Sequence, residues 1–81
     1  MAKEIELTLK YGTLVPSVGL MKIVGGSTID NSNDSFKFRI SRIFRRGRWH
    51  PVRPFEVWIK ENCVISRSYV DPALVQERLA L

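Results

Sequence analysis

The chain has 81 residues, a formal net charge of +5, 26% charged residues and 44% hydrophobic residues. This length holds one domain, so residues 1–81 are expected to form a single small basic domain, and the balance of charged and hydrophobic residues argues against disorder. A lone cysteine, Cys63, excludes an intrachain disulfide, and the N-terminus lacks the apolar run of a signal peptide or a membrane span. We therefore expect a cytoplasmic protein with no membrane association.

The first third of the chain contains one clear strand pattern and two less regular segments. Residues 3–11 alternate between polar and apolar side chains, which predicts a half-buried strand ending at Gly12. The apolar run at residues 18–24 is compatible with a helical turn or with a short strand, since Gly19 weakens a helix by about 1 kcal/mol. Residues 27–35, STIDNSNDS, have the composition of a loop, because Asn, Asp and Ser side chains bond to their own backbone.

The middle of the chain predicts a basic β-hairpin. From residue 36 apolar side chains alternate with basic ones, and the alternation slips at residues 42–44, which a β-bulge explains. Arg46-Gly47 has the composition of a two-residue turn. The register that this turn sets gives three cross-strand pairs: Phe44 with Trp49, Ile43 with His50, and Arg45 with Arg48. Since like charges in a cross-strand pair destabilise a hairpin, two arginines there point to a bound anion.

A second hairpin is predicted on the C-terminal side of the first. Two prolines place residues 50–54 at a sheet edge or in a loop, since proline cannot donate to a strand ladder. Residues 55–60 alternate again, and Glu61-Asn62 predicts a turn into residues 63–70. In that register three further pairs form: Ile59 with Val64, Trp58 with Ile65, and Glu56 with Arg67.

The C-terminal segment predicts a helix. Asp71 is a favourable N-cap, Pro72 is a favourable first helical residue, and Val75 and Leu79 lie one turn apart in the run to the end of the chain. A helix of about ten residues is not stable alone and must dock on another element. The predicted fold class is therefore α+β, with a small antiparallel sheet of about four hairpin-connected strands and the C-terminal α-helix packed on one face.

Positive charge is concentrated in one segment. Residues 35–60 hold eight basic residues and one acid, a formal charge of +7, whereas the other 55 residues sum to −2. This asymmetry predicts an acidic partner, and the dominance of arginine favours recognition of phosphate or carboxylate groups. The candidate nucleic-acid-binding residues are Lys37, Arg39, Arg42, Arg45, Arg46, Arg48, Trp49 and Arg53. Trp58 and His50 are candidate stacking or interface residues.

The same charges also have a structural interpretation. If the first strand and the strand from residue 36 are neighbours, Glu4 and Glu6 would neutralise Lys37 and Arg39. The other arginines of the segment would still lack local acids, because only Glu56 is near them in the sequence.

The sequence offers no set of catalytic or metal-binding residues. His50 is the only histidine and Cys63 the only cysteine, so a metal site of the His/Cys type lacks its ligands. The eight acidic residues show no paired-carboxylate spacing, and the glycine pair at residues 25–26 lacks the lysine of a phosphate-binding loop. We expect no enzymatic activity, no metal and no cofactor.

Three functions are compatible with these residues. The first, which we favour, is a small nucleic-acid-binding accessory or regulatory protein whose arginine-rich hairpin contacts DNA or RNA. The alternative is a protein-binding inhibitor or adaptor, of the type that phages and mobile elements use, which docks its basic, tryptophan-bearing surface on an acidic partner. The third is a homo-oligomer or a subunit of a larger assembly, joined through the apolar patch around Trp58 and Ile65.

Overall fold

A computed structural model describes residues 4–71 and 73–75 of the chain. Five antiparallel strands form a single sheet in the spatial order β4-β3-β2-β1-β5. The strands are β1 (Glu4–Val15), β2 (Gly19–Asn31), β3 (Ser35–Arg45), β4 (Arg48–Lys60) and β5 (Val64–Val70). The first four strands follow one another as a meander, and β5 returns to pair with the outer edge of β1.

The predicted α+β fold class is wrong, because strands account for nearly all of the described residues. Helical structure within residues 4–71 and 73–75 is confined to a 3-10 turn at Glu61–Cys63 and to residues 73–75. Asp71 does cap this last segment, since its Oδ1 accepts a hydrogen bond from the Ala73 N–H at 2.9 Å. Residue 72 and residues 76–81, over which the rest of the packed helix was predicted, lie outside the described residues.

The strands β1 and β2 are longer than their sequence patterns indicate. β1 continues past Gly12, whose φ of +79° accompanies a β-bulge. The ambiguous segment at residues 18–24 belongs almost entirely to β2, which also continues through the first half of the loop predicted at residues 27–35. Pairing with β3 holds this polar half extended, so that only residues 32–34 separate the two strands.

The second predicted hairpin is also wrong, because β4 and β5 are consecutive in the chain but do not pair. The 3-10 turn at Glu61–Cys63 carries the chain from β4 to the opposite edge of the sheet, where β5 pairs with β1. So short a connection can join the two edges only if the sheet curls. A contact between strands that are not neighbours shows this curl: the guanidinium of Arg67 on β5 lies 4.9 Å from the centre of the Phe36 ring on β3.

The hydrophobic core lies inside the curled sheet. Alternate residues of β1 and β3 point into it, and Phe36 and Phe38 meet edge to face with ring centroids 6.1 Å apart. The buried side chains of the core cluster are Ile5, Leu7, Leu9, Val15, Met21, Val24, Phe36, Phe38, Ile40, Ile43 and Ile59. The residues that alternate with these on β3 face outward, so the outer face of the β3–β4 hairpin carries the basic side chains.

Candidate nucleic-acid interface

The β3–β4 hairpin has the predicted turn and register. The three cross-strand pairs are confirmed: Phe44 with Trp49, Ile43 with His50, and Arg45 with Arg48. Arg46 and Gly47 both have positive φ, 54° and 77°, as a two-residue type I′ turn requires. The turn brings Arg45, Arg46 and Arg48 to the exposed end of the hairpin, and we call these three residues the arginine tip.

A β-bulge in β4 shapes the surface beside the arginine tip. Ile40 of β3 lies opposite Phe55 and Arg42 lies opposite Pro51, so one residue of β3 faces three residues of β4. β4 is an edge strand of the sheet, in agreement with the prediction from its prolines. The three residues of β4 in the bulge, residues 52–54, include Arg53, which is exposed.

Arg42 does not contribute to the exposed surface. Its side chain is 1% exposed, and its Nη1 and Nη2 atoms lie 2.7 and 3.0 Å from the carboxylates of Glu4 and Glu6. A register shift at Ser41 turns Arg42 to the outer face of the sheet, where its side chain lies across Gly25 of β2 to reach β1. A methyl group at Gly25 would lie 2.5 Å from the Arg42 Cζ atom, so only glycine leaves room for this contact.

Trp49 packs against the same buried guanidinium. The Arg42 Cζ atom lies 4.7 Å from the centre of the Trp49 ring, and the rings of Trp49 and Phe44 meet at 5.2 Å. Arg42 and Trp49, which were predicted to bind nucleic acid, therefore form a cluster with Glu4 and Glu6 within the protein. Neither residue belongs to the exposed arginine tip. The only sequence signal for this cluster is that Glu4 and Glu6 lie on one face of the first strand. This pattern does not identify the partner of the two acids, because basic residues on any neighbouring strand could pair with them.

Lys37 and Arg39 share a single carboxylate. The Lys37 Nζ atom lies 3.3 Å and the Arg39 Nη2 atom 2.9 Å from the carboxylate oxygens of Glu56. The hydrogen bond from Arg39, followed by that from Lys37, holds the pKa of Glu56 below its ordinary value of 4.5. The predicted pairing of Glu56 with Arg67 is wrong, and Arg67 instead contacts Glu61 at 3.2 Å. Lys37 and Arg39 are thus partly neutralised and are weaker anion ligands than the arginine tip.

Replacing Glu56 by glutamine is expected to lower stability at neutral pH and to make stability less sensitive to acid. Because its pKa in the folded protein lies below 4.5, the carboxylate stabilises the fold above about pH 4.5, and this contribution is lost as the pH falls through the lowered pKa. Urea unfolding of wild type and Glu56→Gln at about pH 7, 4.5 and 3 should show a difference that shrinks with acid. In a Lys37→Met/Arg39→Met background the difference should disappear, and its persistence there would contradict this account.

The two candidate stacking residues lie at opposite ends of β4. The Nε2 atom of His50 lies 3.2 Å from the Arg45 carbonyl oxygen, a hydrogen bond that requires the proton on Nε2. Trp58 is 53% exposed but lies opposite Lys37, at the far end of β4 from the turn. The structure therefore brings His50 and Arg53 near the arginine tip and leaves Trp58 apart from it.

No family model, curated protein or solved structure matches the chain. The described part of the chain contains no group of three or more His, Cys, Asp or Glu side chains that could hold a metal ion. Among the same residues, no helix combines the length and the apolar character that crossing a membrane requires. The chemistry visible in the site itself is the recognition of anions by arginine side chains.

Proposed function

We propose that this protein binds nucleic acid, with the arginine tip and Arg53 contacting phosphate groups. The observation that carries this proposal is the cross-strand pairing of Arg45 with Arg48 at the end of a two-residue turn, with Arg46 in the turn itself. Like charges in such a pair repel each other and destabilise the hairpin. A phosphate bound between the two guanidinium groups would relieve that repulsion.

The pattern of ion pairs supports the same surface. The basic residues in the body of β3 have carboxylate partners. In the part of the chain that the structure describes, no carboxylate lies within ion-pair distance of Arg45, Arg46 or Arg53. Each guanidinium presents a planar fork that can donate two parallel hydrogen bonds to phosphate oxygens. Contacts of this kind position a protein on a nucleic-acid backbone without reading its sequence.

A protein with such a surface would have an accessory or regulatory role. Its single cysteine forms no intrachain disulfide, which suits the reducing environment of the cytoplasm. An acidic protein surface is the alternative partner, because the same arginines could contact carboxylates. The dependence of affinity on salt separates the two partners. Neutralising about four phosphates, one for each arginine of the proposed surface, implies that affinity falls about 10²-fold between 50 and 200 mM salt, whereas the affinity of a protein interface falls far less.

The double substitution Arg45→Ala/Arg48→Ala is expected to remove most of the affinity for nucleic acid. Removing each charge-assisted hydrogen bond to a phosphate should weaken binding about tenfold or more at low salt. The slope of log affinity against log salt should fall by about 0.7–0.9 for each phosphate that the variant no longer neutralises. Stability should change by less than about 1 kcal/mol, because both side chains are exposed. Fluorescence anisotropy of labelled DNA and RNA measures affinity, and urea unfolding measures stability.

The matched control is Lys22→Ala/Lys60→Ala, which removes the same charge from two exposed positions away from the turn. This variant should retain most of the affinity for nucleic acid, since it changes only the long-range electrostatic field of the protein. Equal reductions of affinity in both variants would show that net charge alone, and not the arginine tip, attracts the nucleic acid. Marked destabilisation of Arg45→Ala/Arg48→Ala would show instead that these arginines are structural.

A further inference from the structure

A depression of about 330 Å³ lies beside the arginine tip. Arg45, Arg46 and His50 form its polar border, while Val18 and Val52 are among its apolar lining. The same two valines also line a second depression, of about 410 Å³. The two depressions therefore adjoin at these valines, and we call the two together the tip groove.

The second half of the tip groove is apolar apart from Arg53. Its walls are the β1–β2 turn on one side and the β4 bulge on the other, and Pro16 and Pro54 are exposed on them. Phe55 is half-buried, so part of its ring surface remains accessible to a ligand. The tip groove thus carries positive charge in both of its halves and apolar surface along its walls.

This alternation of charge and apolar surface matches one form of nucleic acid. A duplex presents phosphates on a convex surface and keeps its bases stacked inside, so it has nothing apolar to place in a groove of this shape. A single strand can bind its phosphates to cations along the groove and lay unstacked bases on the apolar surface between them. The aromatic ring of Phe55 can stack on the face of a base, and Pro16 and Pro54 offer apolar contact beside it. Contacts of these kinds do not select among the bases.

We propose that the tip groove binds single-stranded nucleic acid, with phosphates at Arg45 and Arg46 and at Arg53 and with bases on the apolar surface between them. This inference rests on the proposed function and specifies its substrate class. It also assigns a role to the bulge in β4, since residues 52–54 form one wall of the groove and supply the cation of its second half.

The test compares a labelled single strand of about twelve nucleotides with a duplex of the same sequence, in the full chain. Val52→Glu and Pro54→Glu each place a carboxylate in the tip groove, at one half-buried and one exposed position, so that a folding defect in one leaves the other informative. Ser66→Glu on the distant strand β5 makes the same charge change outside the groove. Polyglutamate of matched charge serves as a competitor.

The wild type is expected to bind the single strand about tenfold more tightly than the duplex. Both groove variants should bind the single strand about tenfold more weakly, while their duplex affinity changes no more than that of Ser66→Glu. Equal binding of both forms, with groove variants no different from Ser66→Glu, would overturn the groove assignment and leave the arginine tip as the binding site. Absence of binding to either form would overturn the proposed function as well. Competition by polyglutamate as effective as that by unlabelled oligonucleotide would overturn both in favour of an acidic protein partner.

Discussion

Replacing Arg42 by alanine is expected to lower the free energy of unfolding by about 3 kcal/mol or more, because removing one partner from a buried ion pair leaves the other without compensation. The guanidinium is 1% exposed and is the shared partner of Glu4 and Glu6, whose side chains are only 27% and 20% exposed. The substitution also leaves a space beside Trp49. A domain of this size has a total stability of about 4–12 kcal/mol, so the substitution should remove about a quarter or more of it.

Urea unfolding of Arg42→Ala beside Arg53→Ala measures this effect. Arg53 is exposed and without a carboxylate partner among the described residues, so its substitution should change stability by less than about 0.5 kcal/mol. The Arg42 Nε atom is buried and has no hydrogen-bond partner within the described residues. This unsatisfied donor reduces the net stabilisation that the buried ion pairs contribute. Arg42→Met combined with Glu4→Gln and Glu6→Gln should therefore recover much of the stability. Equal stabilities of Arg42→Ala and Arg53→Ala would show that the buried ion pairs contribute nothing.

Gly26→Ala is expected to cost more than about 3 kcal/mol. A methyl group on Gly26 would overlap the carbonyl oxygen of Arg39 on the neighbouring strand. Backbone atoms on both sides are fixed by the pairing of β2 with β3, so the clash can be relieved only by separating β2, the central strand of the sheet, from β3. No side-chain rotation can absorb it.

Two glycine substitutions provide graded controls for this prediction. In Gly47→Ala no atom lies within 4 Å of the new methyl group. The only cost is the strain of placing alanine at a φ of +77°, which is about 1–2 kcal/mol. Gly25→Ala meets the end of the Arg42 side chain, which can move but then leaves its carboxylate partners. Thermal unfolding followed by circular dichroism should rank the melting temperatures Gly47→Ala, Gly25→Ala and Gly26→Ala from highest to lowest. A Gly26→Ala protein as stable as Gly47→Ala would refute the close strand contact.

The turn of the β3–β4 hairpin and the three cross-strand pairs beside it could be predicted because their determinants are local, whereas the bulge in β4 and the register beyond it could not. A glycine in the turn sets the register, and alternation in the flanking strands fixes which side chains share a face. The same local rule failed at residues 61–62, where a turn composition favoured a hairpin between β4 and β5. The partner of β5 is β1, more than fifty residues away in the chain, and no short-range pattern encodes that choice.

The candidate site was predictable in part for the same reason. The arginine tip follows from the turn, so its three residues were found from the sequence. The burial of Arg42 depends on the alignment of Gly25 between it and Glu6, a three-strand relation that a one-dimensional pattern does not contain. The tip groove depends on the approach of the β1–β2 turn to the β4 bulge, which likewise appears only in the folded chain.

The return of β5 to β1 affects the order of folding events. Glu4 lies opposite Val70, so β1 acquires its second neighbour only after β2, β3 and β4 have been synthesised. Closing so long a loop makes the β1–β5 contact slow compared with formation of the β3–β4 hairpin, whose turn has two residues. Until β5 arrives, β1 presents an unpaired edge beside Ile5, Leu7 and Leu9, which is an aggregation hazard for the nascent chain. A chaperone acting on this protein should therefore recognise its N-terminal strand.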